Sequence, residues 1–232
     1  MRIGILLAGH TPPPLIDSRG DFDQMFATLL AGQGFTFRAW DVEAMDFPDS
    51  PDDADAWLIP GSRHGAYEDH AFIAPLEDFI RAIHAAGKRM VGICFGHQII
   101  AQALGGQVEK VAHGWAVGRH EYNLSNGQKL SLNAWHQDQV TSLPQGAQVA
   151  ASSPHCPNAA LVYGDAILTL QPHPEFPSDL MRDYADLRRG TVPDALLDEA
   201  KRNASDALTQ DRDWAAQTIG RFLRDGRFDH AI

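Results

Sequence analysis

A cysteine flanked by glycines follows the apolar run RMVGI, in the stretch GICFG that contains Gly92, Cys94 and Gly96. Small neighbours are needed where a strand turns sharply into a helix, because the central residue is held there at an unfavourable backbone angle, as in the serine elbow of hydrolases. The positive end of the following helix would favour a thiolate. The pattern predicts that Cys94 is a nucleophile and that the next backbone N–H, from Phe95, points at the oxyanion formed by its attack.

A histidine between two prolines follows a second apolar run, AILTL, and Glu175 lies two positions beyond this His173. The prolines restrict the backbone and therefore the direction of the ring. The carboxylate of Glu175 could accept the imidazole N–H and set the tautomer, so that Cys94, His173 and Glu175 supply the thiol, base and orienting acid of a triad. Two alternatives remain open from the residues alone: Cys94 as a small buried hydrophobic residue, and His173 as an incidental histidine in a surface turn.

The composition excludes several classes of protein. A formal net charge of −11 without any basic block argues against nucleic acid or an anionic membrane as a partner. The two cysteines, Cys94 and Cys156, form neither a disulfide framework nor a metal-ligand spacing, so we expect no metal and no organic cofactor, and a structural role for Cys156. The N-terminal apolar run lacks a signal-peptide cleavage pattern, and no apolar stretch approaches the ~20 residues that span a bilayer, so we expect a cytoplasmic protein.

The elements that must position these side chains alternate along the first half of the chain. Strand-like runs at residues 2–9, 35–42, 56–62 and 89–95 are interleaved with helical patterns at 22–34, 74–88 and 97–106. This alternation predicts an α/β fold, with a mostly parallel central sheet and helices on both faces. From Val108 onward, short strand-like runs separated by turns predict a mixed or antiparallel extension of the sheet.

The end of the chain is helical and charged, with helical patterns at residues 178–190, 193–208 and 212–225. We expect a single domain over residues 1–232, with a catalytic core of about 1–176 and a helical tail of about 177–232. The apolar positions of the tail suit packing onto the sheet layer, and a face for docking a partner is the alternative.

The stretch GICFGHQ, taken together with the downstream QPHPEF, resembles the class I, triad-type glutamine amidotransferases over most of the chain, from the first strand to about Phe176. By that resemblance Cys94 is the nucleophile, His173 is the general base and Glu175 orients His173. Gln98 matches the family glutamine that contacts the γ-glutamyl part of the substrate.

Three further stretches carry expectations from the same resemblance. The stretch IPGSRHGAYED is similar to the family loop that supplies the second oxyanion donor, which assigns this role to the backbone N–H of Gly61, beside that of Phe95. NAWHQDQV resembles a segment near the substrate pocket, where His136 would support substrate binding or order the loop rather than act directly in catalysis. In HGWAVG, Ala116 stands where relatives often carry an acid, so recognition of the substrate amine is expected to differ.

The resemblance implies cysteine-dependent hydrolysis of the γ-glutamyl amide bond of glutamine, through a γ-glutamyl thioester, with release of glutamate and ammonia. Three functions remain open. The first is a glutaminase that delivers ammonia to a separate synthase subunit, and the second is a stand-alone hydrolase of γ-glutamyl peptides or amides within the GMP-synthase-like branch. The third is a catalytically inactive regulatory relative. No phosphate-binding loop follows QPHPEF, so we expect any acceptor chemistry to lie on another polypeptide. In each catalytic form the partner is a small molecule, glutamine or another γ-glutamyl compound.

Overall fold

The structure is a computed structural model that describes residues 1–204 and 209–228. The strands are β1 Arg2–Leu7, β2 Thr36–Asp41, β3 Ala56–Ile59, β4 Arg89–Ile93, β5 Gln107–Lys110, β6 Ala116–Leu124, β7 Lys129–His136, β8 Asp138–Ser142, β9 Gln148–Ser152, β10 Ala160–Tyr163 and β11 Ile167–Leu170. The helices are α1 Pro13–Arg19, α2 Phe22–Leu29, α3 Ile73–Ala85, α4 Phe95–Ala103, α5 Ser178–Leu187, α6 Asp194–Asn203 and α7 Thr209–Asp225, with a short 3₁₀ turn at Pro51–Asp53.

Within the described residues, nine strands form one sheet in the order β2-β1-β3-β4-β11-β10-β9-β6-β7. The neighbours from β2 to β11 pair in parallel, and those from β11 to β7 pair antiparallel. The predicted α/β fold, with its parallel sheet and antiparallel extension, is confirmed. The β5 and β8 strands pair separately as a small antiparallel sheet.

Helices cover both faces of the parallel strands, which explains why these strands are apolar runs rather than alternating ones. On one face, α2, α5 and α7 pack through side chains such as Phe26, Met181 and Phe222. On the other face, α3 and α4 pack through side chains such as Ile80 and Ile99. The β3 strand is buried at every position as a result.

The sequence patterns missed three elements, helix α1 and strands β5 and β8. Helix α1 begins in a proline-rich stretch and has no buried residue, so it shows no apolar periodicity to detect. Strands β5 and β8 have four and five residues, too few for a clear alternation. The predicted helix at residues 193–208 is present as α6 up to Asn203, and its last positions, 205–208, lie outside the described residues.

The helical tail packs onto the rest of the molecule, as its apolar positions predict. Leu197 of α6 and both Ile219 and Phe222 of α7 have no exposed surface. Arg19 of α1 forms ion pairs with Asp179 and Asp183 of α5, which ties the start of the tail to the first helix. None of the helices in the described part of the chain is long and apolar enough to cross a membrane.

The position of the candidate site follows from one pair of neighbouring strands. Strands β4 and β11 are parallel, with Ile93 opposite Leu170. Their carboxyl ends therefore lie side by side at the same edge of the sheet, where open α/β sheets bind ligands. Cys94 follows the first of these strands directly, and His173 lies three residues after the second.

Candidate active site

Cys94 occupies the sharp strand-to-helix turn that the glycine pattern predicts. Its backbone has φ 53° and ψ −103°, a conformation that L-residues rarely adopt, and helix α4 begins at the next residue. A Cβ atom on Gly96 would lie 2.0 Å from the Ile59 carbonyl oxygen, and one on Gly92 would lie 2.5 Å from the Gly96 carbonyl oxygen. A larger side chain at Gly96 would push the turn away from β3, and one at Gly92 would push α4 away from β4, so both glycines are needed for packing as well as for the turn.

His173 is held on three sides. Its Nδ1 lies 2.6 Å from Glu175 Oε1, its backbone N–H donates to the Asn133 carbonyl at 2.8 Å, and its ring stacks on Phe176 at 4.1 Å between centroids. The Asn133 side chain also donates to the Phe176 carbonyl at 2.9 Å. The Glu175 contact assigns the proton to Nδ1, which leaves Nε2 for a second partner.

Gly61 lies beside both of the side chains predicted to react, Cys94 and His173. A Cβ atom on Gly61 would lie 2.9 Å from His173 Cε1 and 3.7 Å from Cys94 Cβ, so both side chains border the same glycine. Burial by itself lowers the pKa of His173, but the charges of Glu175 and Cys94 outweigh it and raise the pKa to about 10. At neutral pH this imidazole is therefore protonated, opposite the sulfur.

These residues lie on the wall of a pocket of about 330 Å³, which is large enough for a small organic ligand. Cys94 and His173 are themselves only 6% and 3% exposed, so a reactant reaches them only through this pocket. The Cys94 sulfur lies 3.9 Å from the carbonyl of Trp135, which also lines the pocket. The arrangement combines a thiol, an oriented histidine and a shielded cavity, which is what nucleophilic acyl transfer requires.

Gln98 and His136 both line the same pocket. The Gln98 amide nitrogen already donates to the Asp138 carbonyl at 2.8 Å and to Gln171 Oε1 at 3.1 Å, so its oxygen is the atom left to face a ligand. His136 is buried, and neither ring nitrogen has a hydrogen-bond partner among the described residues. Burial lowers the pKa of His136 well below its usual range, which keeps this ring neutral.

Ala116, which stands where relatives often carry an acid, does not line the pocket among the described residues. It is buried and pairs with His136 across β6 and β7, while the preceding residue, Trp115, lines the pocket.

Sequence reasoning missed part of the pocket wall. Arg188, Thr191 and Val192, between α5 and α6, line the pocket although they lie in the tail. The Arg188 Nε atom is buried without a hydrogen-bond partner among the described residues. A partly buried tryptophan pair, Trp115 and Trp135, forms a further side at 6.4 Å between ring centroids, and Trp135 belongs to the NAWHQDQV segment that the sequence places near the pocket. No local pattern marks Arg188, Thr191 and Val192, because only the packing of the tail brings them to the carboxyl edge of the sheet.

The chain is similar in sequence to a family of known proteins. Residues 15–184 match the family model for glutamine amidotransferase class-I. The γ-glutamyl peptidase 4 of Arabidopsis thaliana is 30% identical over 72% of this chain and 72% of its own length. The glutamine-hydrolysing GMP synthase of Thermus thermophilus is 32% identical over 56% of this chain, which is 29% of that synthase.

A solved structure supports the fold over the whole length. The glutamine amido transferase from Methylobacillus flagellatus superposes with a TM-score of 0.81 at 22% identity, covering 100% of this chain and 98% of that one. The family match spans both the Cys94 turn and the segment that carries His173. With the sheet order and the family match in agreement, the chain belongs to the class-I glutamine amidotransferase family.

Proposed function

We propose that the protein hydrolyses the γ-glutamyl amide bond of γ-glutamyl peptides or amides, through a γ-glutamyl thioester on Cys94. The observation that carries the proposal is the strained Cys94 turn, with His173 beside it and Glu175 on the far side of the imidazole. Strain at a non-glycine residue in a shielded pocket is typical of functional sites, because the rest of the fold must stabilise it.

In the first half of the reaction, the deprotonated Cys94 sulfur attacks the γ-carbonyl carbon of the substrate. The C–N bond breaks as His173, protonated at neutral pH, transfers its proton to the leaving amine. Glu175 holds the ring and stabilises its charged form. The products of this half are a free amine and the γ-glutamyl thioester.

In the second half, a water molecule attacks the thioester while the now neutral His173 accepts its proton. The C–S bond breaks, glutamate leaves, and the sulfur and imidazolium return to their starting states. No metal or organic cofactor takes part in these steps.

The backbone N–H groups of Gly61 and Phe95 are proposed to bind the oxyanion in both halves. Phe95 is the first residue of α4, and the first N–H groups of a helix have no intrahelical partner. Gly61 borders both reacting side chains. Loss of one donor of this kind typically costs a factor of ~10²–10³ in rate.

The size of the pocket and the relatives together favour a substrate larger than glutamine. The pocket continues from Cys94 past Trp135 to Arg188 and Thr191, which provides room for a substituent on the γ-amide nitrogen. Gln98 and His136 would contact the γ-glutamyl part, and Arg188, with its unpaired Nε, would bind a carboxylate of the leaving peptide. The γ-glutamyl peptidases among the relatives match over most of their own length.

A second candidate is a glutaminase that delivers ammonia to a separate synthase subunit. The match to 29% of the length of a glutamine-hydrolysing GMP synthase supports it. The catalytic steps are the same, with ammonia as the leaving group.

A substrate panel distinguishes the two candidates. Purified protein alone is incubated with glutamine, γ-glutamyl dipeptides and γ-glutamyl amines, and glutamate release is measured. We expect kcat/KM for at least one γ-glutamyl dipeptide to exceed that for glutamine, and the Arg188→Ala variant to raise KM for peptides without raising it for glutamine. Faster turnover of glutamine than of every other compound would support the second candidate, and no turnover of any of them would contradict the first.

A further inference from the structure

Three potential metal ligands meet on the loop between β3 and α3, and two of them, His64 and Glu68, line the pocket. The ligand atoms of His64, Glu68 and His70 all lie within 4.8 Å of one another among the described residues. His70 Nε2 is 2.9 Å from Glu68 Oε2, and His64 Nδ1 is 3.9 Å from the same oxygen. In the sequence this is His-x₃-Glu-x-His, a spacing that involves neither of the two cysteines.

These separations suit a small tetrahedral cation. Zinc binds imidazole nitrogen and carboxylate oxygen at about 2.0–2.2 Å, so neighbouring ligand atoms around it are about 3.4 Å apart. The two measured separations fall on either side of that distance, and closing the difference requires movements of about half an ångström. Two imidazoles and one carboxylate are also the donor set that zinc accepts when it keeps one position open.

A fourth residue, Glu43, orients the ring of His64 for binding a metal ion. Its Nε2 lies 2.9 Å from Glu43 Oε1, and the Glu43 side chain is mostly buried, at 18% exposure. The Glu43 carboxylate therefore accepts a hydrogen bond from the Nε2–H group, which leaves the lone pair of Nδ1 directed toward Glu68. A carboxylate behind a ligating histidine is the usual supporting contact in protein metal sites, where it fixes the tautomer and the ring direction.

The rings are also held by packing. His64 and His70 both contact Phe72, at 5.5 and 5.8 Å between centroids, and Phe72 contacts Phe95 beside Cys94 at 6.3 Å. The Glu68 side chain is held as well, since its Oε2 accepts a hydrogen bond from the Gly65 N–H at 3.0 Å.

We propose that His64, Glu68 and His70 form a binding site for a divalent transition-metal ion of the zinc type at the entrance of the Cys94 pocket. The ion replaces the proton between His70 and Glu68 and adds a charged group to the pocket wall. The open coordination position faces solvent, since His70 and Glu68 are 38% and 47% exposed. An ion there cross-links the loop and narrows the route by which a substrate reaches Cys94.

Zinc binding is measured by isothermal titration and by competition with a chromogenic zinc indicator. The parent for this experiment is the double variant Cys94→Ala/Cys156→Ala, because a thiol would bind zinc by itself and obscure the result. We expect one zinc per chain in this parent, an upward shift of its Tm with zinc, and visible d–d absorption with cobalt that lacks the charge-transfer band of a thiolate ligand. None of these readouts depends on hydrolysis, so failure of the proposed function leaves the test intact.

Single substitutions in that parent locate the ion. His70→Ala, and Glu68→Gln as the variant of nearly unchanged shape, are expected to weaken zinc binding by more than about 100-fold. Glu43→Ala is expected to weaken it by about 10- to 100-fold, as the loss of a supporting carboxylate does elsewhere. His84→Ala, in an exposed histidine near the end of α3, is the matched control and leaves the affinity unchanged.

Three results would overturn the proposal. The first is a parent without thiols that binds no zinc, since any binding by the natural chain would then take place at a cysteine. The second is an unchanged affinity in both His70→Ala and Glu68→Gln. The third is a loss of binding in His113→Ala instead, which would place the ion with the separate histidine pair of His113 and His155, whose rings are 4.3 Å apart.

Discussion

The two cysteines of the chain lie in turns that differ in almost every respect except burial. Cys94 is 6% exposed and Cys156 is 2% exposed, so accessibility alone would not separate them. Cys94 has a positive φ, precedes a helix and borders a pocket with His173 on its wall. Cys156 lies between β9 and β10 in a turn closed by Ser153, whose side chain accepts the Cys156 N–H and whose own N–H donates to the Cys156 carbonyl.

The electrostatic surroundings of the two sulfurs differ as well. Burial raises the pKa of the Cys156 thiol to about 12, so this thiol remains protonated in the folded protein. Cys94 instead stands opposite a histidine whose pKa is raised by the neighbouring negative charges. A buried thiol becomes a candidate nucleophile through its neighbours and its turn, and the same residue type without them is a packing residue.

The largest expected effect is the loss of activity when the Cys94 thiol, rather than the Cys156 thiol, is removed. Cys94→Ala should lower kcat by a factor on the order of 10⁶, or to the detection limit, because the nucleophile is lost. Cys156→Ala is the matched control and should retain most of the activity. Glutamate release from the best γ-glutamyl substrate is measured for both variants, with circular dichroism as the check on folding. Equal losses in the two variants would contradict the assignment of Cys94.

The second-largest expected effect is a decrease in kcat when Glu175, the residue proposed to orient His173, is replaced. Glu175→Gln should lower kcat by roughly 10²- to 10⁴-fold, since the amide neither stabilises the imidazolium nor sets its tautomer. The loss should be less than that of His173→Ala, because Glu175 acts through the ring. Glu109→Gln, at an exposed position of β5, serves as the control. A Glu175→Gln enzyme with the kcat of the natural chain would remove Glu175 from the mechanism.

The raised pKa of Cys156 predicts a change in stability at high pH. The unfolded thiol ionises above its ordinary pKa of 9, whereas the folded thiol does so near 12, so its contribution is complete below pH 9 and is lost as the pH rises toward 12. The loss is at most about 1.4 kcal/mol per pH unit. Urea unfolding at pH 8 to 10.5 should therefore give a flatter profile for Cys156→Ala than for the natural chain. Subtracting the two profiles cancels the buried tyrosines, and parallel profiles would show that the thiol does not contribute.

The smallest expected effect is on the free energy of unfolding when glycine, rather than alanine, replaces each cysteine. Its sign should be opposite at positions 94 and 156. At position 94 glycine tolerates the positive φ that alanine does not, so Cys94→Gly should be more stable than Cys94→Ala by about 1 kcal/mol. At position 156, where φ is not positive, glycine adds freedom to the unfolded chain, and Cys156→Gly should be less stable than Cys156→Ala by about 0.5–1 kcal/mol. The free energy of unfolding in urea gives both differences. The same sign at both positions would mean that the Cys94 turn is not strained.

The sequence predicts the local features of the candidate site well, because they depend on contacts between near neighbours. The glycines around Cys94 indicate a sharp turn, and the structure has one with the expected positive φ. The prolines around His173 and the carboxylate two residues later predict an oriented imidazole, and the 2.6 Å contact with Glu175 is of that kind. The roles of these residues in catalysis remain proposals.

Features that depend on distant packing were not predictable in the same way. Asn133 holds the His173 segment through two hydrogen bonds, yet it lies in an ordinary β7 strand. Arg188 reaches the pocket from the tail, which the sequence describes only as amphipathic and charged. In both cases the residue matters because of where another part of the chain is placed, and single-sequence patterns contain only the spacing along one element.

By itself the sequence determined the alternation of strands and helices, the turn at Cys94 and the rigid segment around His173, since apolar spacing, glycine and proline act locally. Only the tertiary structure decided that β11 lies beside β4, and this pairing brings two residues 79 positions apart in the chain to the same glycine, Gly61. The physical reason is that parallel neighbours end at the same edge of a sheet, while the order of strands depends on how every helix packs over both faces.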